Sequence, residues 1–312
     1  MIAADPHPSG VLPPVTAKQA HTGCGPAAQA PVGLFDSGVG GLSVLRDVRA
    51  LLPAESLMYV ADSRHAPYGI RSRRDIMERS CRLTECLANA GAKAVVIACN
   101  TATAAAAAEL RRRFPLPIIG MEPAIKPAVA ASRNGVIGVL ATEGTLESAR
   151  FSALLSRYAY ERRIITRPCP GLVEAVEAGE EDSPRTGLLL ERYLAPVLEA
   201  GADTIILGCT HFSFLRPQLE RRLPRHVALM ETGVAVARQL QRRLAVADLL
   251  NRGDDTAAPR YLTSGSTDSL RRFLARHGLP GTDVGVLREE PGREAIPAPT
   301  GVQSSSCGRR DR

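Results

Sequence analysis

The chain has 312 residues, 45% of them hydrophobic, enough for two domains with cores of their own. No apolar run reaches the ~18 residues of a membrane span, and the first thirty residues lack the basic start and apolar core of a secretory leader, so no membrane is expected and the expected compartment is the cytoplasm. The net charge of +7 does not imply a nucleic-acid partner: only three of the 39 basic residues are Lys, the Arg residues are mixed with acids in stretches such as RSRRDIMER, and aromatic residues for base stacking make up 4%.

In chain order, residues 1–30 are rich in Pro, Gly and Ser without periodicity and are expected to be a disordered extension. Short β-rich runs then recur at 30–38, 56–63, 92–100, 116–122, 135–142, 162–170 and 202–210, each ending in small or polar residues. Stretches with helical periodicity lie between them, at 71–90, 144–158, 184–200 and 232–249. The alternation predicts an α/β fold with mostly parallel sheets flanked by helices. Residues 281–312 return to Pro, Gly, Ser and charge and are expected to be a disordered tail. Parallel sheets bind ligands beyond the carboxyl ends of their strands. There the sequence places Asp36-Ser37, Asp62-Ser63, Cys99-Asn100-Thr101, Glu122, Thr142 and Cys209-Thr210-His211.

Two of those strand ends repeat each other. AGAKAVVIACNT at 90–101 aligns with AGADTIILGCTH at 200–211 at a constant offset of 110, with a cysteine at the same place in each. VGLFDSGVG at 32–40 and IGVLATEGT at 137–145 extend the repeat upstream, so two half-proteins are expected to face each other across a cleft, one thiol from each. The seven cysteines are odd in number and contain no C-x-x-C pair, which indicates neither a disulfide framework nor a zinc site. A cysteine closing one buried strand is ordinarily a small core residue; the duplicated setting is what singles out Cys99 and Cys209. Inverting a carbon centre calls for a proton removed from one face and another delivered to the opposite face, and two thiols on repeated strands suit that task. Backbone N–H groups at helix starts beyond the strands would favour the thiolates, and Asp36 and His211 stand where they can adjust the protonation of their neighbours. GVGG at 38–41 is a poor dinucleotide loop, because Ser43 replaces the third glycine and Asp36 would repel a pyrophosphate. Lys93 and Lys126 lack the setting of a Schiff-base lysine. A single-cysteine hydrolase built on Cys209 and His211, and a binding protein without catalysis, stay open as alternatives.

The ordered motifs GLFDSGVGGLSVL (33–45), YVADSRHAPYG (59–69), VIACNTATA (96–104), MEPAIKPA (121–128), GVLATEGTLES (138–148), CPGLVEAVEAG (169–179), LGCTHFSFL (207–215) and YLTSGSTDSLRRF (261–273) resemble the glutamate racemase family of the aspartate/glutamate racemase superfamily. The resemblance spans roughly residues 31–280. It implies two pseudo-symmetric α/β domains, 31–122 plus 231–280 and 123–230, with the active site between them. It implies cofactor-independent interconversion of L- and D-glutamate, feeding D-glutamate to peptidoglycan synthesis, by an enzyme that forms a homodimer. Carried over position by position, Cys99 would deprotonate the D enantiomer and Cys209 the L enantiomer, assisted by Asp36 and His211. Asp36, Ser37, Tyr68, Gly69, Asn100, Thr101, Thr210 and His211 would contact the substrate, with Thr142, Thr145 and Glu177 in a supporting tier. Aspartate is the rival substrate within the superfamily.

Overall fold

The computed structural model describes residues 26–253, 258–281 and 283–287. Among the described residues ten strands appear in chain order: β1 (Val32–Asp36), β2 (Leu57–Ala61), β3 (Ala94–Ile97), β4 (Ile118–Ile119), β5 (Val136–Ala141), β6 (Arg163–Pro168), β7 (Thr204–Leu207), β8 (Ala228–Met230), β9 (Arg260–Thr263) and β10 (Val284–Val286). They form two sheets, ordered β10-β9-β2-β1-β3-β4 and β6-β5-β7-β8, and all their pairings are parallel. The arrangement β2-β1-β3-β4 repeats strand for strand as β6-β5-β7-β8, so the sequence repeat is also a repeat of topology. The chain passes to the second sheet between β4 and β5 and returns between β8 and β9.

The central strands are buried on both faces, as parallel strands covered by helices must be. Val32 and Leu34 of β1 face one apolar cluster while Phe35 faces another, and in β3 Ala94 and Val96 alternate with Val95 and Ile97 in the same way. The larger cluster runs through the junction of the halves, joining Val39, Leu42 and Met121 to Leu172, Phe212 and Leu215. A second cluster lies on the other face of the first sheet, and a third, around Ile137, Val139 and Phe151, lies against the second sheet. No helix of the described residues is long and apolar enough to cross a membrane.

Three differences from the sequence expectation have local causes. The helical stretch 144–158 breaks into Glu143–Leu146 and Ala149–Tyr158, because the Ser148 hydroxyl accepts from the Phe151 N–H at 3.1 Å and starts a new helix. The expected N-terminal extension contains a short helix, Pro26–Gln29, held down where Ala28 is buried and its carbonyl accepts from the Lys93 ammonium. The expected tail contributes β10, which pairs with β9 and buries Val284. The rest of both tails, with Cys24 and Cys307, lies outside the described residues.

Candidate active site

The carboxyl ends of β1 and β3 meet those of β5 and β7. Cys99 and Cys209 follow β3 and β7 in nearly the same backbone conformation, with φ and ψ of −142° and 125° for the first and −139° and 135° for the second. Each caps a helix: Asn100–Arg113 after Cys99, and the tight turn Thr210–Leu215 after Cys209. The Cys99 sulfur accepts from the Ala102 N–H at 3.4 Å, the helix-start donation that favours a thiolate. Both thiols are buried and free.

Their neighbours differ in charge. Asp36, fully buried at the end of β1, accepts at one carboxylate oxygen from the Ser37 N–H at 2.6 Å and the Ser37 hydroxyl at 3.1 Å. The other oxygen takes the Gly41 N–H and, across the junction, the Thr210 hydroxyl at 3.1 Å. Burial pushes the Asp36 carboxyl above its ordinary range, with nearby His211 and the hydrogen bonds pulling the other way. Cys99 lies 4.0 Å from the Ser37 hydroxyl; burial, and then the Asp36 carboxylate, raise its thiol well above the usual value.

Cys209 sits beside an imidazole instead. The Sγ is 3.8 Å from His211 Nδ1, and His211 Nε2 is 2.7 Å from Glu177 Oε1. A carboxylate can only accept, so Nε2 carries the proton of that bond. Burial works against charge on His211, but the Cys209 sulfur and the Glu177 carboxylate outweigh it and raise its pKa well above the ordinary histidine value. Glu177 Oε1 also accepts the Val39 N–H at 2.7 Å, tying the helix Leu172–Ala178 of one half to the loop after β1 in the other.

Hydroxyls and amides complete the junction. Thr101 Oγ1 lies 3.0 Å from Thr142 Oγ1 and 3.1 Å from Thr145 Oγ1, and the latter two are 2.9 Å apart. Asn100 is buried with no hydrogen-bond partner on either amide atom among the described residues, which leaves donor and acceptor open to a small polar molecule. The turn Tyr68–Ile70 packs on the second half where Gly69 abuts Thr142; a Cβ on Gly69 would stand 2.9 Å from the Thr142 Cβ. Tyr68 turns its hydroxyl away to Asp62 at 2.6 Å, so the turn can present its backbone.

The structure therefore gathers Asp36, Ser37, Cys99, Asn100, Thr101, Thr142, Thr145, Glu177, Cys209, Thr210 and His211 at one junction, with Tyr68 and Gly69 on its edge. Asp62, open to a capping role on sequence alone, makes no side-chain cap bond; it is a buried anchor paired with Arg79 at 2.8 Å. Sequence reasoning missed Arg79 because an Arg inside a surface-patterned helix carries no local sign of burial. It also missed Ser43, whose hydroxyl reaches the Thr210 carbonyl at 3.3 Å.

Two half-proteins of one topology, each presenting a thiol to a shared junction of hydroxyls, carboxylates and amides, have the fold and the junction of a racemase. Residues 39–240 match the model of the Asp/Glu/hydantoin racemase family, and the chain belongs to that family, on its glutamate racemase branch. It is 59% identical over 249 residues to the glutamate racemase of Pseudomonas paraeruginosa, covering 80% of this chain and 94% of the relative. It is 60% identical over 248 residues to that of Ectopseudomonas mendocina, covering 79% and 94%. Among solved structures, glutamate racemase isoform RacE1 of Bacillus anthracis superposes with a TM-score of 0.75 at 30% identity, over 85% of this chain and 98% of that one. Escherichia coli glutamate racemase, solved with L-glutamate and the activator UDP-MurNAc-Ala, superposes with a TM-score of 0.73 at 33% identity, over 83% and 98%.

Proposed function

We propose that the protein interconverts L- and D-glutamate without a cofactor, with Cys99 and Cys209 as the two bases. The observation that carries this reading is the placement of one cysteine, in one backbone conformation, beyond the equivalent strand of each half. One thiolate takes the α-proton, breaking the Cα–H bond and forming S–H; the opposite thiol gives its proton to the other face, breaking S–H and forming Cα–H. Neither atom count nor charge changes over the exchange, and the two cysteines trade protonation states. Cys209 takes the proton of the L enantiomer and Cys99 that of the D enantiomer. Imidazolium at His211, held by Glu177, stabilises a thiolate at Cys209. The Ala102 N–H serves Cys99 in the same way, and the Cys99 thiol has the Ser37 hydroxyl as an acceptor 4.0 Å away. Asn100, Thr101, Thr142, Thr145, Thr210 and the backbone of Tyr68 and Gly69 supply donors for two carboxylates, which suits a dicarboxylic amino acid. The domains of this reading are 31–122 plus 231–280, and 123–230. A cytoplasmic homodimer making D-glutamate for peptidoglycan is the setting that goes with it.

Proton NMR of L-glutamate with purified protein in D₂O, with D-glutamate and aspartate in parallel, tests the proposal. Loss of the α-proton signal with appearance of the opposite enantiomer, abolished by Cys99→Ala and by Cys209→Ala, is expected. Turnover that survives either substitution would overturn the two-thiol mechanism, and preferred turnover of aspartate would overturn the substrate.

A further inference from the structure

We infer that Tyr59, a core residue of the first sheet, is a positioning residue for the Glu177–His211 pair and acts through the single peptide group between Gly38 and Val39. The inference rests on the part assigned above to Glu177 and His211. Tyr59 is fully buried on β2, its ring edge-on to Tyr261 at 6.4 Å between centroids. In the apolar cluster its hydroxyl donates to the Gly38 carbonyl at 2.6 Å. The N–H of that same peptide group is the Val39 N–H, which donates to Glu177 Oε1 at 2.7 Å. The peptide is thus gripped at both ends, by a phenol of the first sheet and by a carboxylate of the second half. The chain of contacts continues from Glu177 Oε1 to His211 Nε2 at 2.7 Å and from His211 Nδ1 to Cys209 Sγ at 3.8 Å.

Two further features make this grip directional. Burial, followed by the nearby acidic groups Asp36, Glu177 and Cys99, raises the Tyr59 hydroxyl well above the ordinary tyrosine value, so it stays a donor throughout the working pH range. A Cβ on Gly38 would overlap the Glu177 carboxylate, so the carboxylate rests on the peptide that Tyr59 holds. Hydrogen bonds in such a chain polarise one another, because a phenol pulling on the carbonyl makes the N–H across the peptide a better donor. Without the phenol the loop is free to rotate that N–H away, and Glu177 then meets His211 with one constraint fewer.

Tyr59→Phe tests this against Tyr261→Phe, which removes the other hydroxyl of the ring pair, one that donates to the Pro280 carbonyl instead. Both variants lose the hydroxyl hydrogen bond of a buried tyrosine, so lost stability alone would affect them alike. The expected result is a kcat ~5- to 20-fold lower for Tyr59→Phe with KM within twofold, and near-normal turnover for Tyr261→Phe. The hydrogen-bonded Nε2 proton of His211, followed by NMR, is expected to shift upfield and exchange faster in Tyr59→Phe alone. Equal kcat in the two variants, or an unmoved His211 signal, would overturn the inference. Glu177→Gln separates the two layers: if it leaves turnover intact, the assignment of Glu177 and His211 fails, whereas impairment there beside a normal Tyr59→Phe defeats the positioning role alone. Should Tyr59→Phe not fold, the Val39 amide of the unsubstituted protein decides. Exchange as slow as the central strands upholds the gripped peptide, and exchange as fast as exposed loops overturns it.

Discussion

The carboxylate of Asp36 accepts a hydrogen bond from the hydroxyl of Thr210 at 3.1 Å, joining the end of β1 in one half to the residue after Cys209 in the other. Through it, the acid beside Cys99 and the turn that carries Cys209 share one hydrogen-bonded unit. Replacing Thr210 by Val keeps the shape and removes the donor. A hydrogen bond to a charged group contributes ~1.5–3 kcal/mol, so kcat/KM is expected to fall ~10- to 100-fold. Steady-state rates in both directions, with melting curves alongside, check this; a loss under twofold would show that the bond does not serve the chemistry.

Gly40 is required by closeness, not by backbone conformation. A Cβ there would overlap His211 Nδ1 and stand 2.6 Å from Thr210 Oγ1 and 2.7 Å from His211 Cε1. Gly40→Ala therefore forces His211 or the loop to move by a large part of an ångström. Displacements of that size at a reacting centre cost ~100-fold in rate. The expected variant is folded by circular dichroism and nearly inactive. Near-normal turnover would mean that the imidazole is not needed where it stands.

Much of this site was readable in the residues because its chemistry falls at strand ends. The seven runs proposed as strands contain β1 to β7, since the central parallel strands are continuous apolar stretches and the edge strands β4 and β6 still carry short Ile-rich runs bounded by turn residues. β8, β9 and β10 were not among them: ALM, RYLT and VGV are short and only partly buried, and their pairing is decided by neighbours distant in sequence. The cysteine repeat was likewise visible, because a shared topology imposes shared residues at its turns. What could not be read was pairing across the junction. Nothing near Val39 announces that its N–H meets Glu177, 138 positions away, and nothing near Asp62 announces Arg79.

Asp203 gives the fold a defined dependence on pH. Its carboxylate receives the N–H groups of Arg133 and Asn134 and the hydroxyls of Ser132 and Thr204, all within 2.9 Å, and so closes the turn before β5. Burial opposes its charge, but the Asn134 N–H, the two hydroxyls and the Arg133 N–H prevail and hold its pKa at about 2, against 3.8 for a free carboxyl. A depressed folded-state value contributes stability in full above the unfolded value and loses it as pH falls through the folded value. The window is therefore about pH 4 down to about 2, and the contribution is on the order of 2 kcal/mol. Urea unfolding of the protein and of Asp203→Asn is expected to show a gap at pH 6 that narrows by that amount near pH 2. A gap independent of pH would refute the assignment.

At the opposite end of β3 from Cys99, Lys93 and Glu55 form a buried pair, with Nζ 2.5 Å from Oε2. Lys93 also donates to the Ala28 carbonyl, and Glu55 accepts the Asn251 N–H at 2.9 Å, so four separate segments meet on two side chains. Removing one partner strands a charge in the core, and Lys93→Met is expected to cost ~3–5 kcal/mol. The pair itself need not be worth that much, because its attraction is set against the desolvation of both ions. Lys93→Met combined with Glu55→Gln keeps an acceptor for Asn251 while removing the stranded charge, and is expected to recover most of the loss. Urea unfolding of the single and double variants measures both steps. Racemisation per folded molecule should stay level throughout, since the pair lies at the amino end of the strand and the thiol at its carboxyl end. A single variant as unstable as the double would show that the lost contacts of Lys93, and not the charge left on Glu55, account for the cost.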